Sequence, residues 1–275
     1  MIMSGSIAVL GCGWLGLDLA RSFVADGLIV HGSCQSQASV QKLSSFGVKG
    51  HNIQLKEKSI SGNISSFLQG SSRLFLTLTP GLRSDPKRNF VAVIKQLLPY
   101  IQNSSVQEVV FTSSTGVFGP QQGVVTADTF AIPQTESGRQ LLEVEGLLLT
   151  QSSFTSKIIR LGGLLGDDRH PVSHLIKKRM VAEPQAPVNL IHKQDAIGLV
   201  RFLSEHGRWQ SIYHAVCPWH PTKKDFYEKA AQELNLPQPI FDQKKGTTTK
   251  KVMSPQVAAM GYVFKQPRLG LTLTP

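Results

Sequence analysis

What the 275-residue sequence has little of narrows its function before any motif is considered. Its apolar runs, such as LIV at 28–30 and GLLL at 146–149, fall far short of the roughly 20 residues a membrane helix requires, so no membrane partner is expected. Three cysteines, Cys12, Cys34 and Cys217, are odd in number and widely spaced, which excludes a disulfide framework and a four-cysteine zinc site. The opening stretch MIMSGSIAVLGCGWLG is apolar, but it lacks the basic start of a secretory signal and runs directly into a glycine pattern. These absences point to a soluble protein of the reducing cytoplasm. Acidic residues are also scarce, 18 Asp and Glu against 29 Lys and Arg, for a net charge of +11. The excess is scattered in short clusters (Lys177-Lys178-Arg179, Lys223-Lys224, Lys244-Lys245, Lys250-Lys251), and no zinc-finger or aromatic RNA-binding pattern accompanies it. An anionic small molecule, rather than nucleic acid, is the expected partner.

What is present has a clear rhythm. Branched apolar runs recur at 7–10 (IAVL), 28–32 (LIVHG), 73–79 (RLFLTLT), 108–114 (EVVFTSS) and 156–161 (SKIIRL). Between them, helical spacing is seen from Trp14 to Asp26, Val40 to Phe46, Asn89 to Ile101 and Arg139 to Thr150. Such alternation predicts an α/β fold, a Rossmann-type doubly wound parallel sheet covered on both faces. After Gly166 prolines and charges break the pattern; VNLIH and SIYHAV then read as strands, and Gln194–Glu205 and Lys223–Leu236 as helices. We expect one domain over residues 1–165 and a smaller, partly interleaved C-terminal lobe over residues 166–275, with KKGTTTKK at 244–251 an exposed loop.

The stretch IAVLGCGWLGLDLA carries the first chemistry. Gly11, Gly13 and Gly16, with Cys12, Trp14 and Leu15 between them, follow a predicted strand and open a predicted helix. In a dinucleotide turn the first glycine makes the bend, the second lets backbone approach the diphosphate, and the third lets the helix pack on the strand. The helix start adds amides and partial positive charge. The competing reading is a glycine turn needed only for packing. An NAD site normally places a carboxylate about 20 residues further on, for the ribose hydroxyls. Here the segment His31–Gln37, HGSCQSQ, has neither Asp, Glu nor Arg. Ser33 would leave room for a 2′-phosphate, so the cofactor reading, NADP or NAD, leans to NADP.

Taken in order, GCGWLG, FTSSTGVFG, SGRQLLEVE, IIRLGGLLGDDRHP, NLIHKQDAIG and IYHAVCPWHP resemble the atypical and extended short-chain dehydrogenase/reductases, the NAD(P)-dependent epimerase/dehydratase group, and within it the bacterial YeeZ-type proteins. The resemblance implies that Thr79, Pro80 and Ser113 lie along the cofactor and that Ser114 binds a substrate oxygen during hydride transfer to or from a carbonyl or alcohol carbon. It also makes a homodimer an expectation. Two departures stand out. A single residue, Cys12, separates the first two glycines, the atypical spacing. The family's Tyr-x-x-x-Lys pair is missing: Ser137 falls at the Tyr position and Leu141 at the Lys position, and none of Tyr100, Tyr213, Tyr227 and Tyr262 has a Lys four residues on. An aliphatic hydroxyl cannot be tuned toward neutrality as a phenol can, and losing a positioned general acid typically costs about 10² to 10⁴ in rate.

Other candidates carry plain alternatives beside the functional one. Ser114 is either a ligand contact or a turn hydroxyl, and Ser137 either a stand-in acid or a helix cap. His192 is a candidate proton donor or a structural hydrogen-bonder, with Asp195 a helix cap. Arg160 and His170 are candidate substrate contacts, Arg160 alternatively pairing with a buried carboxylate. Trp219 and His220 read as a packed turn. Asp167, Asp168 and His170 lack further ligands at suitable spacing, so no metal is expected. Two functions stay open: an oxidoreductase or epimerase-type enzyme acting on a small molecule, and a catalytically silent NAD(P)-binding regulator or scaffold.

Overall fold

The unbroken apolar run Ile7–Leu10 is buried along its whole length, as a strand covered on both faces must be. In the computed structural model, which describes residues 5–166, 168–206, 211–242 and 246–270, it forms β1 (Ser6–Leu10). There follow α1 (Gly16–Ala25), β2 (Ile29–Cys34), α2 (Gln37–Ser44), β3 (Lys49–Asn52), a hairpin of β4 (Gln54–Leu55) and β5 (Ile60–Ser61), α3 (Ile64–Leu68), β6 (Ser71–Leu76), α4 (Phe90–Gln102) and β7 (Glu108–Ser114). A 3-10 turn (Thr115–Val117) leads to β8 (Val124–Val125), α5 (Glu136–Leu149), β9 (Thr155–Leu161), β10 (Gly163–Leu165) and the single turn α6 (Val172–Leu175). The remainder comprises β11 (Leu190–His192), α7 (Lys193–His206), β12 (Ile212–Ala215), α8 (Lys223–Glu233), β13 (Lys251–Val252) and α9 (Pro255–Ala259). Asp167 and the pair Lys244-Lys245 lie outside the described residues.

Seven strands form one parallel sheet in the order β12-β9-β7-β6-β1-β2-β3, the Rossmann-type α/β arrangement expected. The order runs outward from β1 in both directions, so the winding reverses between β1 and β6, where such sheets open a crevice at their carboxyl ends. β6 stops at Leu76, short of the RLFLTLT run, because the Thr77 hydroxyl turns to donate to the carbonyls of Leu10 (3.2 Å) and Gly11 (2.7 Å). β3, KGHN, was not expected: at the edge of the sheet a polar strand needs no apolar alternation.

The chain divides into two compact units. One comprises Met1–Ser113, Arg139–Ile159 and Gly207–Ser211; the other comprises Ser114–Gly138, Arg160–His206 and Ile212–Pro275. In the first, α1 buries Leu19, Ala20 and Phe23, and Phe23 packs on Phe75 of β6 with ring centroids 4.8 Å apart. Side chains cap α2 and α4: Ser36 accepts from the Ser39 amide and Asn89 from that of Ala92. In the second, α8 packs Phe226, Ala230 and Ala231 against Leu165, Val172 and Val188. Two capping expectations change. Thr135, not Ser137, accepts from the Gly138 amide at the start of α5 (3.1 Å), because the helix already begins at Glu136. Asp195 is 1% exposed and accepts from the Tyr262 hydroxyl (3.1 Å) and the amides of Lys265 (2.7 Å) and Gln266 (2.8 Å). A buried carboxylate needs such donors, and here they come from the C-terminal segment rather than from its own helix.

His214 of β12 is 1% exposed, edge-on to Phe118 at 5.2 Å, and its Nδ1 donates to the Met253 carbonyl (3.0 Å). Burial, against the pull of that carbonyl and reinforced by Arg160, lowers its pKa from 6.5 to about 4. The folded state therefore binds the proton less readily than the unfolded chain. Stability from this site is complete above pH 6.5 and is lost as pH falls toward 4, by on the order of 3 kcal/mol. Urea denaturation of wild type and His214→Phe across pH 4–7 is expected to show a drop in this window that the variant lacks. An equal slope in both proteins would place the titrating group elsewhere.

Candidate functional site

The glycine turn between β1 and α1 is fixed from three strands. Gly11 adopts φ +103°, a conformation that side-chain-bearing residues rarely take. Its amide donates to Ser33 Oγ on β2 (2.9 Å), and its carbonyl accepts from Thr77 Oγ1 beyond β6 (2.7 Å). The Cys12 amide donates to the Ser33 carbonyl (2.8 Å), closing the turn onto β2. Gly16 sits under it: a Cβ there would lie 2.3 Å from the Gly11 oxygen and 2.5 Å from Thr77 Oγ1. At Gly13, by contrast, a Cβ would meet nothing within 4 Å. Packing therefore requires glycine at position 16 and does not at position 13. No side chain caps α1; the Leu17 amide instead donates to the Gly13 carbonyl (3.0 Å) and the Gly13 amide to the Gly11 carbonyl (2.7 Å).

These groups border a cavity of about 360 Å³ that lies within the first unit. Of the residues expected at a cofactor, Gly11, Cys12, Gly13, Ser33 and Thr79 line it. Leu10, Ile53, Leu55 and Leu78 give it apolar walls, and Gln35, Ser39, Thr77 and Arg88 give it polar ones. Among its lining residues there is no carboxylate, and Arg88 is the one that carries a charge. Arg88 escapes motif reasoning because it lies in the irregular segment before α4. The available signal was three cations, Arg83, Lys87 and Arg88, shortly after Thr79-Pro80. Glu57 accepts from the neighbouring Asn89 amide. Burial pushes the Cys12 thiol up to about 12, so no thiolate forms in the turn at neutral pH.

The other expected cofactor residues do not line this cavity. Leu15 belongs to the core at 9% exposed, Gly16 and Pro80 are buried, and Trp14 is half-buried beside the turn. Ser113, 3% exposed, donates to the buried Glu145. Ser33 takes up its oxygen lone pair with the Gly11 amide, so its contribution is to hold the turn.

The remaining candidates are placed as follows. Ser114 is half-buried at the end of β7, and its Oγ accepts from the Gly116 amide (3.1 Å), capping the 3-10 turn. Ser137 is half-buried in the first turn of α5, and Leu141 on the same helix is 4% exposed in the core. His192 is 3% exposed, with Nδ1 accepting from the Gln194 amide (3.3 Å). Arg160 is 3% exposed, with its guanidinium over the Phe118 ring at 5.0 Å. His170 is not a free loop histidine: it stacks on Phe226 at 5.7 Å, and its Nδ1 accepts from Val172 (3.2 Å). The aromatic cluster around α8 absorbs the ring, and burial lowers its pKa. Trp219 packs edge-on to Phe226, and the His220 Nδ1 donates to the Val188 carbonyl, as a packed turn requires. Asp168 pairs with Lys193 (3.4 Å). Among the described residues, no group of three or more His, Cys, Asp or Glu is placed to hold a metal, and no helix is long and apolar enough to cross a membrane. A larger open groove, about 760 Å³, runs between α3 and the end of α4. Asn63, Asn103, Ser104 and Ser105 there bond to their own or neighbouring backbone.

No protein-family model matches the chain. Protein YeeZ of Escherichia coli (strain K12) is 32% identical over 238 residues, 86% of each chain. Among solved structures, a putative NAD-dependent epimerase/dehydratase from Methylobacillus flagellatus superposes with a TM-score of 0.75 at 23% identity, covering 96% of this chain and 94% of that one. MoeE5 in complex with UDP-glucuronic acid and NAD superposes with a TM-score of 0.70 at 17% identity, covering 98% and 94%. These structures share the fold.

The packing argument at the turn is directly testable. Gly16→Ala drives a methyl group into the backbone of the turn and is expected to lower stability by about 1–3 kcal/mol. Ser33→Ala leaves the Gly11 amide without its acceptor and is expected to cost a similar amount, about 1–3 kcal/mol. Thermal and urea denaturation of the two variants would check both.

Proposed function

This chain belongs to the YeeZ family of atypical short-chain dehydrogenase/reductases, and from that premise we propose that it binds NADP(H) at the glycine turn and transfers hydride to or from a carbonyl or alcohol carbon of a small molecule. The observation that carries this reading is the lining of the cavity: no carboxylate, several hydroxyl side chains, and Arg88. A carboxylate at the end of β2 would favour the free ribose hydroxyls of NAD and repel a 2′-phosphate; its replacement by Ser33, Cys34 and Gln35 removes that repulsion. The start of α1, where no side chain caps the helix, would hold the diphosphate. Ile53 and Leu55 would flank the adenine, and Ser39 and Arg88 would meet the extra phosphate.

The bound nicotinamide would supply or accept the hydride. Ser114, at the carboxyl end of a central strand, would orient the substrate oxygen. The substrate class to try first is the nucleotide sugar, since MoeE5 is described with UDP-glucuronic acid and NAD. Ser137 and Leu141 favour a second reading, a cofactor-binding regulator without turnover, because neither can trade a proton near neutrality.

Calorimetry with NADPH and NADH tests the cofactor assignment. NADPH is expected to bind at least tenfold more tightly, and Arg88→Ala to lower NADPH affinity about tenfold while leaving NADH nearly unchanged. Equal affinities for the two nucleotides would overturn the NADP reading. Absorbance at the nicotinamide band with a panel of carbonyl compounds and nucleotide sugars separates the enzyme from the regulator.

A further inference from the structure

Arg88, which lines the cavity, stands in a stretch of backbone held from two separate elements, all of them within the first unit. From α5, Gln140 Nε2 donates to the Arg88 carbonyl (3.1 Å) while its Oε1 accepts from the Phe90 amide (2.8 Å). Between these two contacts, the Asn89 amide donates to Glu57 Oε1 (2.6 Å), which lies in the turn joining β4 to β5. The partners fix the orientation of the Gln140 amide, since the Phe90 N–H requires an acceptor and the Arg88 carbonyl a donor.

The guanidinium is seated as well as the backbone. The amides of Ser84 and Asp85 donate to the Gly81 carbonyl (3.1 Å each), and the Arg88 amide donates to the Asp85 carbonyl (3.1 Å), so the segment folds back on itself. Gly81 adopts φ +75°, and a Cβ there would lie 2.6 Å from a terminal nitrogen of Arg88. The guanidinium therefore fills the space that a side chain at position 81 would take. Its neighbours Arg83 and Lys87 are exposed, whereas Arg88 is half-buried, and among the described residues no carboxylate pairs with it. A cation placed in this way, without a counter-ion, is set for an anion that arrives from outside.

We propose that Gln140 is a positioning residue for Arg88, and that this clamp selects the 2′-phosphate that the end of β2 only permits. The proposal rests on the NADP reading above and divides the preference in two. Ser33, Cys34 and Gln35 remove a repulsion; a guanidinium fixed before binding supplies the attraction. An arginine that grips a ligand loses rotamer freedom, and holding it beforehand removes part of that cost. The start of α4 is already capped by Asn89, and the Arg88 carbonyl lies outside the helix, so the bond from Gln140 to that carbonyl acts on the cation and not on the helix.

Gln140→Met keeps the bulk of the side chain and removes both bonds. Calorimetry on the full chain with NADPH and with NADH, for wild type, Gln140→Met, Arg88→Ala and the double variant, closes a cycle. Gln140→Met is expected to lower NADPH affinity about threefold to tenfold and NADH affinity less than about twofold, with no further loss of NADPH affinity when Arg88 is already alanine. A purely structural role would weaken both nucleotides together and add to Arg88→Ala. NMR relaxation of the arginine Nε–H groups reads the positioning with no cofactor present. The resonance that disappears in Arg88→Ala is expected to be rigid in wild type and mobile in Gln140→Met. Equal losses for NADPH and NADH, additive losses in the double variant, or an Arg88 side chain equally mobile in wild type and Gln140→Met would each overturn the proposal. Equal affinity of the wild type for the two nucleotides would overturn the NADP reading and the proposal with it, and the wild-type titrations alone show that.

Discussion

Everything proposed for this protein depends on how one peptide unit, that of Gly11, is held. Its amide is bonded to a side chain on β2 and its carbonyl to a side chain following β6, so three neighbouring strands converge on one residue where the winding of the sheet reverses. A turn fixed in this way does not have to be ordered by its ligand, which lowers the entropic cost of binding. It also sets the direction of α1, whose start carries no side-chain cap. The same geometry could serve packing alone. What separates the two readings is that packing demands glycine at 16 and leaves 13 unexplained.

The parallel sheet was legible because strands buried on both faces are written as continuous branched runs, and β1, β2, β7 and β9 fall within one or two residues of those runs. Polar or very short strands were not legible. β3 lies at an edge where water satisfies one face, and β8, β10 and β13 are too short to carry a period. Ser137 illustrates a different limit: sequence places a good cap near a helix start, but which of several hydroxyls meets the amide depends on the residue at which the helix begins.

The site was half legible for a similar reason. The glycines sit in a contiguous motif, and the pairing of β1 with β2 brings Ser33 to it. Arg88 is set by irregular backbone far from the motif, and no spacing rule links it to the glycines. His170 shows the converse. A histidine in a charged, proline-bearing loop looks available in sequence, yet the apolar surface of α8 offers its ring a better place.

The central claim is that this turn exists to admit a diphosphate. Gly13→Ala tests it most directly, because the added methyl group enters open space in the folded chain and the path of a bound phosphate otherwise. The account predicts an unchanged melting temperature for the free protein and at least a tenfold loss of NADPH affinity by calorimetry. Equal affinity in the variant, or no measurable NADPH binding by the wild type, would contradict it.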